Sequence, residues 1–282
     1  MRSNKGFTLA EIAVAMVIVA LLLAGAIIPL RTQIDVRNTA DTQRSMDAIK
    51  EAIIGYALAN GRLPCPADGT IPAGGVNSGT EQYNTTTGQC ADSLGTAVTF
   101  GVVPWATLGV SETDAWGRRF SYYVVQTFAD KIQLYSNLPA VNPSDYNTPG
   151  QTPCNPAPMP TVSSFALCTL GNLTVNTRND STHAATAIGS VLPAVIISHG
   201  KNGYGAYTPG GLTLAAPAAG TDEAANATYS NGATTFYSRT PTPSASGCSD
   251  AAAGPFCEFD DIIVMISTPT LAARMVNAGK LP

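Results

Sequence analysis

Residues 7–30 read FTLAEIAVAMVIVALLLAGAIIPL, an apolar run of 24 residues with a single ionisable side chain, Glu11. As a helix rising about 1.5 Å per residue it covers roughly 36 Å, more than the ~30 Å of hydrocarbon in a bilayer. The pattern therefore predicts a transmembrane helix over 7–30, and Arg2 and Lys5 ahead of it favour a cytoplasmic N-terminus. Beyond Pro29 the run turns amphipathic. Ile34, Met46, Ile49, Ile53, Tyr56 and Ala57 fall on one helix face, Asp47, Lys50 and Glu51 lie elsewhere, and Asn60 followed by Gly61 is a stop signal. One helix over 7–60 is predicted, its second half resting on a globule. Pro29 lacks an amide donor and should bend or loosen the helix.

The remainder, 61–282, has a different texture: 23 of the 26 glycines, 19 of the 20 prolines and all six cysteines lie in it. Short strand-like runs alternate with turn clusters, and the best candidates are 120–127 (FSYYVVQT), 131–135 (KIQLY), 194–198 (AVIIS) and 261–267 (DIIVMIS). Two stretches, 137–160 and 205–254, are rich in small and polar residues without periodicity and read as extended surface loops. The fold class expected is α+β: a long N-terminal helix, its amphipathic half packed on an antiparallel β-rich globule with long, disulfide-stapled loops.

Charge and motif content narrow the function. Fifteen basic against 19 acidic residues give a net charge of −4, the wrong sign for bulk nucleic-acid binding. No GxSxG, HExxH or phosphate-cradling GKS or GKT occurs. His199 follows Ser198 at a strand end, where neighbours point to opposite faces, and His183 lies in a polar loop. No enzyme is expected. The even cysteine count fits a disulfide framework in an oxidising compartment, whereas zinc is disfavoured by the lack of CxxC spacing and by only two histidines. Of the 15 possible pairings, nearest neighbours are favoured: Cys65 with Cys90, Cys154 with Cys168, and Cys248 with Cys257.

Glu11 is the anomaly. A carboxylate five residues into an apolar run costs on the order of 3 kcal/mol on insertion scales and calls for a partner. Cleavage between Gly6 and Phe7 would create one, the new α-amino group. A secretory signal peptide or a plain signal anchor is the competing reading of such a segment.

These residues carry a resemblance. GFTLAEIAVAMVIVALL resembles the leader and first helix of type IV pilins and type II secretion pseudopilins. The resemblance implies a 1–6 leader removed by an integral-membrane aspartyl prepilin peptidase and N-methylation of Phe7. It also implies assembly with other pilin or pseudopilin subunits, with Glu11 facing the Phe7 amine of a neighbour. The chain would wait in inner-membrane lipid, its C-terminal domain extracytoplasmic. An assembly platform would then draw it into a periplasmic pseudopilus or a surface pilus, where its large globule suits a minor subunit. The alternative is a membrane-anchored binding module or adhesin that does not polymerise.

In the globule, LPCPADG, GVVPW, DAWGRRFSYYV, ISHGKNGYGAYTPGG and FDDIIVMIS are similar to the pseudopilin core. The glycine-rich loop of that core holds calcium in the major pseudopilin, which carries Asn202 and Asp261 over as ligands, although Lys201 is a departure from the pattern. Trp116 is expected beneath the sheet, with Arg118 and Arg119 pairing with acidic groups across a subunit boundary.

Overall fold

The structure is a computed structural model that describes residues 8–131, 162–167, 169–230 and 232–281, with the side chains of 22–32 outside the described set. It divides into two units, Met1–Asp41 and Thr42–Pro282. Helix α1 (Leu9–Asn60) contributes to both and runs through the position of Pro29. In the first unit Leu9, Val14, Met16, Val17 and Leu21 are all exposed. Among the described residues no helix is long and apolar enough to cross a membrane, and the expected 7–30 span falls partly outside them. Ile34 is half exposed rather than part of a buried face.

In the second unit the amphipathic pattern is realised from Thr42 onward. Met46, Ile49, Ile53 and Ala57 have no exposed surface, and α1 ends where Gly61, in the left-handed region at φ 71°, donates its amide to Ala57 O at 2.8 Å. A small hairpin, β1 (Tyr83–Asn84) with β2 (Gln89–Cys90), precedes β3 (Phe100–Val102), α2 (Trp105–Leu108), β4 (Ser121–Val124) and α3 (Gln126–Ala129). Then follow β5 (Leu173–Arg178), β6 (Ala185–Leu192), β7 (Ala194–Ser198), α4 (Asp222–Asn226), β8 (Thr235–Tyr237), β9 (Ile262–Ile266) and α5 (Thr268–Asn277).

Two larger sheets result. The first, ordered β3-β4-β7-β9, is antiparallel throughout; the second is ordered β6-β5-β8, with β5 antiparallel to β6 and parallel to β8. Side-chain alternation along the first sheet explains the layering. Tyr122, Val124, Ala194, Ile196, Val264 and Ile266 pack against the α1 face and against Leu271 and Met275 of α5. The intervening Tyr123, Val195 and Ile197 pack against Leu173, Val175, Leu192 and Phe236 of the second sheet. The first sheet is thus covered on both faces.

Several expectations are corrected. The 120–127 run is strand only over Ser121–Val124. It then turns helical so that Phe128 swings into the core beside Phe165, with ring centroids 4.8 Å apart. Residues 205–254 are not all surface loop: they supply α4 and β8 and bury Asp222, Asn226, Phe236 and Asp250. Periodicity fails there because the segment is held by charge. Asp222 is clamped by Arg178 and Arg239, and Arg239 also reaches Asp250. Arg119, expected at a subunit boundary, is fully buried. It pairs with Glu112 at 2.8 Å, bonds the carbonyls of Gly69, Ile71 and Pro209, and covers the Trp105 ring. Arg118 donates to Gly200 O, also within the chain, and Trp116 is only half-buried. Residues 132–135 and 137–160 lie outside the described residues.

A second charged node ties the end of α1 to the hairpin. The Arg62 guanidinium grips both carboxylate oxygens of Glu81 (2.9 and 2.8 Å), which also accept from Tyr56 OH and Cys65 N. The Cys65–Cys90 disulfide closes the same region. Removing one partner of a buried, multiply bonded pair strands the other, at a cost of about 3–5 kcal/mol. Glu81→Ala should therefore lower unfolding free energy by roughly 3 kcal/mol or more in urea titration, and adding Arg62→Met should restore part of that loss. A double variant as unstable as the sum of the singles would show that the node carries no coupling.

Candidate functional site

Two places bear on function, one in each unit. In the first, Gly6 and Phe7 lie outside the described residues, and Pro29 lies in the α1 backbone with its side chain outside them. Glu11 is described. Its Oε2 accepts from Thr8 N at 2.8 Å and from Thr8 Oγ1 at 2.9 Å, and Glu11 N donates back to Thr8 Oγ1 at 3.3 Å. Helix amides at an N-terminus lack intrahelical acceptors, and this reciprocal Thr-x-x-Glu arrangement is a capping box. The TLAE pattern at 8–11 is the sequence signature of this cap. Among the described residues Glu11 Oε1 accepts no hydrogen bond.

In the second unit Asp261 immediately precedes β9, and beside it stand Asp260 and Glu223 of α4; ligand oxygens of the three lie within 4.8 Å of one another. The glycine-rich loop after β7 packs onto them, and a Cβ at Gly200, whose φ is 55°, would collide with Asp260. Asn202 donates through its backbone N to Asp260 Oδ2 (2.8 Å) and through Nδ2 to Glu223 Oε1 (2.9 Å), while its Oδ1 accepts from Tyr204 N. Asn202 and Asp261 are thus brought to one place, but Asn202 turns its amide nitrogen toward the carboxylates. Asp261 Oδ2 accepts from Asn226 Nδ2 at 2.8 Å. Asp260 Oδ1 is buried with no hydrogen-bond partner among the described residues.

Crowding of like charges away from water shifts these groups. Burial, reinforced by the Asp261 charge, pushes Glu223 up to about 8, and burial likewise raises Asp260 to about 6. Glu223 was missed because it lies far from the glycine-rich loop in sequence. The acidic residues in TDEAAN were its only signal.

His199 borders the cluster. Its Nε2 lies 2.8 Å from Ser121 Oγ and 3.2 Å from Tyr229 OH, and Nδ1 lies 3.6 Å from Asp261 Oδ1. Tyr229 spends its proton on Gly205 O at 2.7 Å. The tautomer that places a proton rather than a lone pair toward Asp261 has Nε2 accepting from Ser121. The order serine, histidine, aspartate resembles a nucleophile–base array, but Ser121 and His199 have no exposed surface. The array fixes a core imidazole and presents no nucleophile to solvent.

Of the expected disulfides, Cys65–Cys90 and Cys248–Cys257 are formed, while Cys154 and Cys168 lie outside the described residues.

Glu223 and Asp260 hold protons more tightly in the folded chain than in an unfolded one, where carboxyls titrate near about 4. Their contribution to stability is therefore fully present below that value and is lost as pH rises through about 6 and about 8. With divalent ions chelated, the urea midpoint should fall steadily between pH 5 and pH 8.5, and Glu223→Gln should flatten the upper part of that slope. An unchanged slope in the variant would remove Glu223 as its source.

Residues 1–27 match the family model described as the prokaryotic N-terminal methylation motif. Neither a curated protein nor a solved structure matches the chain. The methylation motif covers about a tenth of the chain, and through it the N-terminus bears the signature of type IV pilins and pseudopilins, which are structural proteins processed and assembled through this segment.

Proposed function

We propose that this chain is the precursor of a minor filament subunit, of a type IV pilus or a type II secretion pseudopilus. In this reading prepilin peptidase cuts between Gly6 and Phe7, Phe7 is N-methylated, and the mature chain stays in the inner membrane until an assembly platform extracts it. The observation that carries the reading is the methylation-motif match over 1–27, with Glu11 at the fifth position after the cut.

The physical basis is the exposed apolar surface from Leu9 to Leu21, which requires lipid or other helices around it. Exchanging one for the other retains apolar burial and dispersion, so the charged groups set the cost of transfer. Glu11 already meets part of that cost by capping its own helix through Oε2. Oε1 is left to receive the Phe7 ammonium of a neighbouring subunit. Mass spectrometry of the protein purified from cells should find a chain beginning at methyl-Phe7. A chain starting at Met1, or beyond residue 24, would reject the assignment. Glu11→Ala should lower incorporation into filaments at least tenfold while leaving membrane insertion unchanged.

The same reading assigns calcium to the acidic cluster, with Asp261, Asp260 and Glu223 as the carboxylate donors. Calcium takes six to eight oxygens at about 2.3–2.6 Å, so two donors on opposite sides of the ion stand nearly 5 Å apart. The 4.8 Å spread of the cluster fits that span. The buried, unbonded Asp260 Oδ1 offers one ready donor. Asn202 fits less well as a ligand, since its Nδ2 faces Glu223. Calcium at the site would neutralise the carboxylates that crowd α4 against the start of β9. Millimolar calcium added to chelated protein at pH 8 should raise the melting temperature by several degrees, and Glu223→Gln should abolish the rise. No shift in the parent chain would reject calcium and leave the filament assignment standing.

A further inference from the structure

The loop from Cys248 to Cys257 is closed by their disulfide, across a sequence separation of 9. Inside that ring Asp250 is buried, and both of its carboxylate oxygens are committed. Oδ1 accepts from Cys257 N and from the Arg239 guanidinium, each at 3.0 Å, and Oδ2 accepts from Asp222 N at 2.8 Å. Asp222 is the first residue of α4, so a side chain of the loop holds the start of that helix. Arg239, which clamps the Asp222 carboxylate, is itself held by the loop: it donates to Cys257 O and covers the Phe256 ring.

The loop itself is lightly built. Residues 251–255 are exposed, and the ring is braced by Ser249 N on Pro255 O, Ala252 N on Ser249 Oγ, and His183, which stacks on Phe256 and meets Ser249 O through Nδ1. Cutting a crosslink that spans about ten residues lowers the closing equilibrium of such a loop on the order of a hundredfold in the chain-entropy account. The two described disulfides also differ in access. Cys65 and Cys90 have no exposed surface, whereas Cys248 is half-buried beside the exposed stretch. Thiol–disulfide exchange requires that a thiolate reach a sulfur, and Cys248 is where it can.

We propose that the Cys248–Cys257 disulfide is a thiol–disulfide exchange site and a latch on α4: a dithiol that opens it frees the start of α4, and a disulfide reagent that closes it sets Glu223 beside Asp260 and Asp261. The proposal stands apart from leader cleavage, filament assembly and calcium. In the opening step a thiolate of the reductant attacks Cys248 Sγ, a mixed disulfide forms, and the Cys257 thiolate leaves and takes up a proton. The second thiol of the reductant then displaces Cys248. Two electrons and two protons reach the protein, and the reductant becomes a disulfide. The freed loop no longer fixes Asp250, so Asp222 N loses its acceptor and Arg239 loses part of its support. The opening is local, because the sheet cores on either side of β7 are built from other elements.

Brief treatment of the full chain in mild detergent with dithiothreitol, followed by trapping with N-ethylmaleimide and peptide mass spectrometry, tests the first half. Cys248 and Cys257 should be labelled at least tenfold faster than Cys65 and Cys90. In the protein so opened, amide hydrogen exchange over 222–226 should speed up at least tenfold while exchange over 194–198 stays as it was, and oxidised glutathione should reverse the change. Cys248→Ser combined with Cys257→Ser should exchange like the opened protein, and Asp250→Asn should do so with the disulfide still closed. Equal or faster labelling of Cys65 and Cys90, unchanged exchange over 222–226 once Cys248–Cys257 is open, an equal rise over 194–198, or slow exchange over 222–226 in Asp250→Asn would overturn the proposal.

Discussion

A four-stranded sheet with apolar side chains on both faces must be covered twice, and the rest of the globular unit follows from that demand. One cover is the amphipathic stretch of α1 from Thr42 to Asn60, joined by α5. The other is the second sheet, which lays Leu173, Val175 and Phe236 over Tyr123, Val195 and Ile197. Each fully buried Val, Ile, Leu or Phe contributes on the order of 1.5–3 kcal/mol, so neither cover is dispensable. A chain that is only 12% charged can supply this much apolar surface, and it places many of its charges at the joints.

Those joints share a rule. Glu81 receives both arms of Arg62, Arg119 meets Glu112 and three carbonyls, and Asp222 sits between Arg178 and Arg239. Each buried ion has an opposite ion and enough hydrogen bonds to compensate its lost hydration. The cluster of Glu223, Asp260 and Asp261 departs from the rule. Three acids converge there, amides and a core histidine stand against them, and among the described residues an oxygen of Asp260 has no hydrogen-bond partner. Such a place stores affinity for a positive charge, whether a proton or a cation.

What the sequence discloses depends on the kind of force involved. AVIIS and DIIVMIS were legible as β7 and β9 because continuous apolar runs bounded by turns report strands buried on both sides. The α1 face over 46–57 was legible through its helical period, and the pairing of Cys65 with Cys90 and of Cys248 with Cys257 through proximity in the chain. By contrast LTVNTR and ATAIGSVL, now β5 and β6, gave no strand signal, because threonine, asparagine and small residues fit edges and loops equally well. The α4 segment was hidden for a further reason. Its buried Asp222 and Glu223 look like surface residues until Arg178, Arg239 and Asn202, distant in sequence, are brought to them. At the N-terminus, the methylation motif over 1–27 was legible in the sequence.

The cap formed by Thr8 and Glu11 bears on how processing and folding are related. Helix α1 begins at Leu9, the third residue past the Gly6–Phe7 bond, and both capping residues lie on the mature side. Trimming the leader would thus take away neither capping residue. The groups that brace the rod's tip would be at hand both before and after the protease acts.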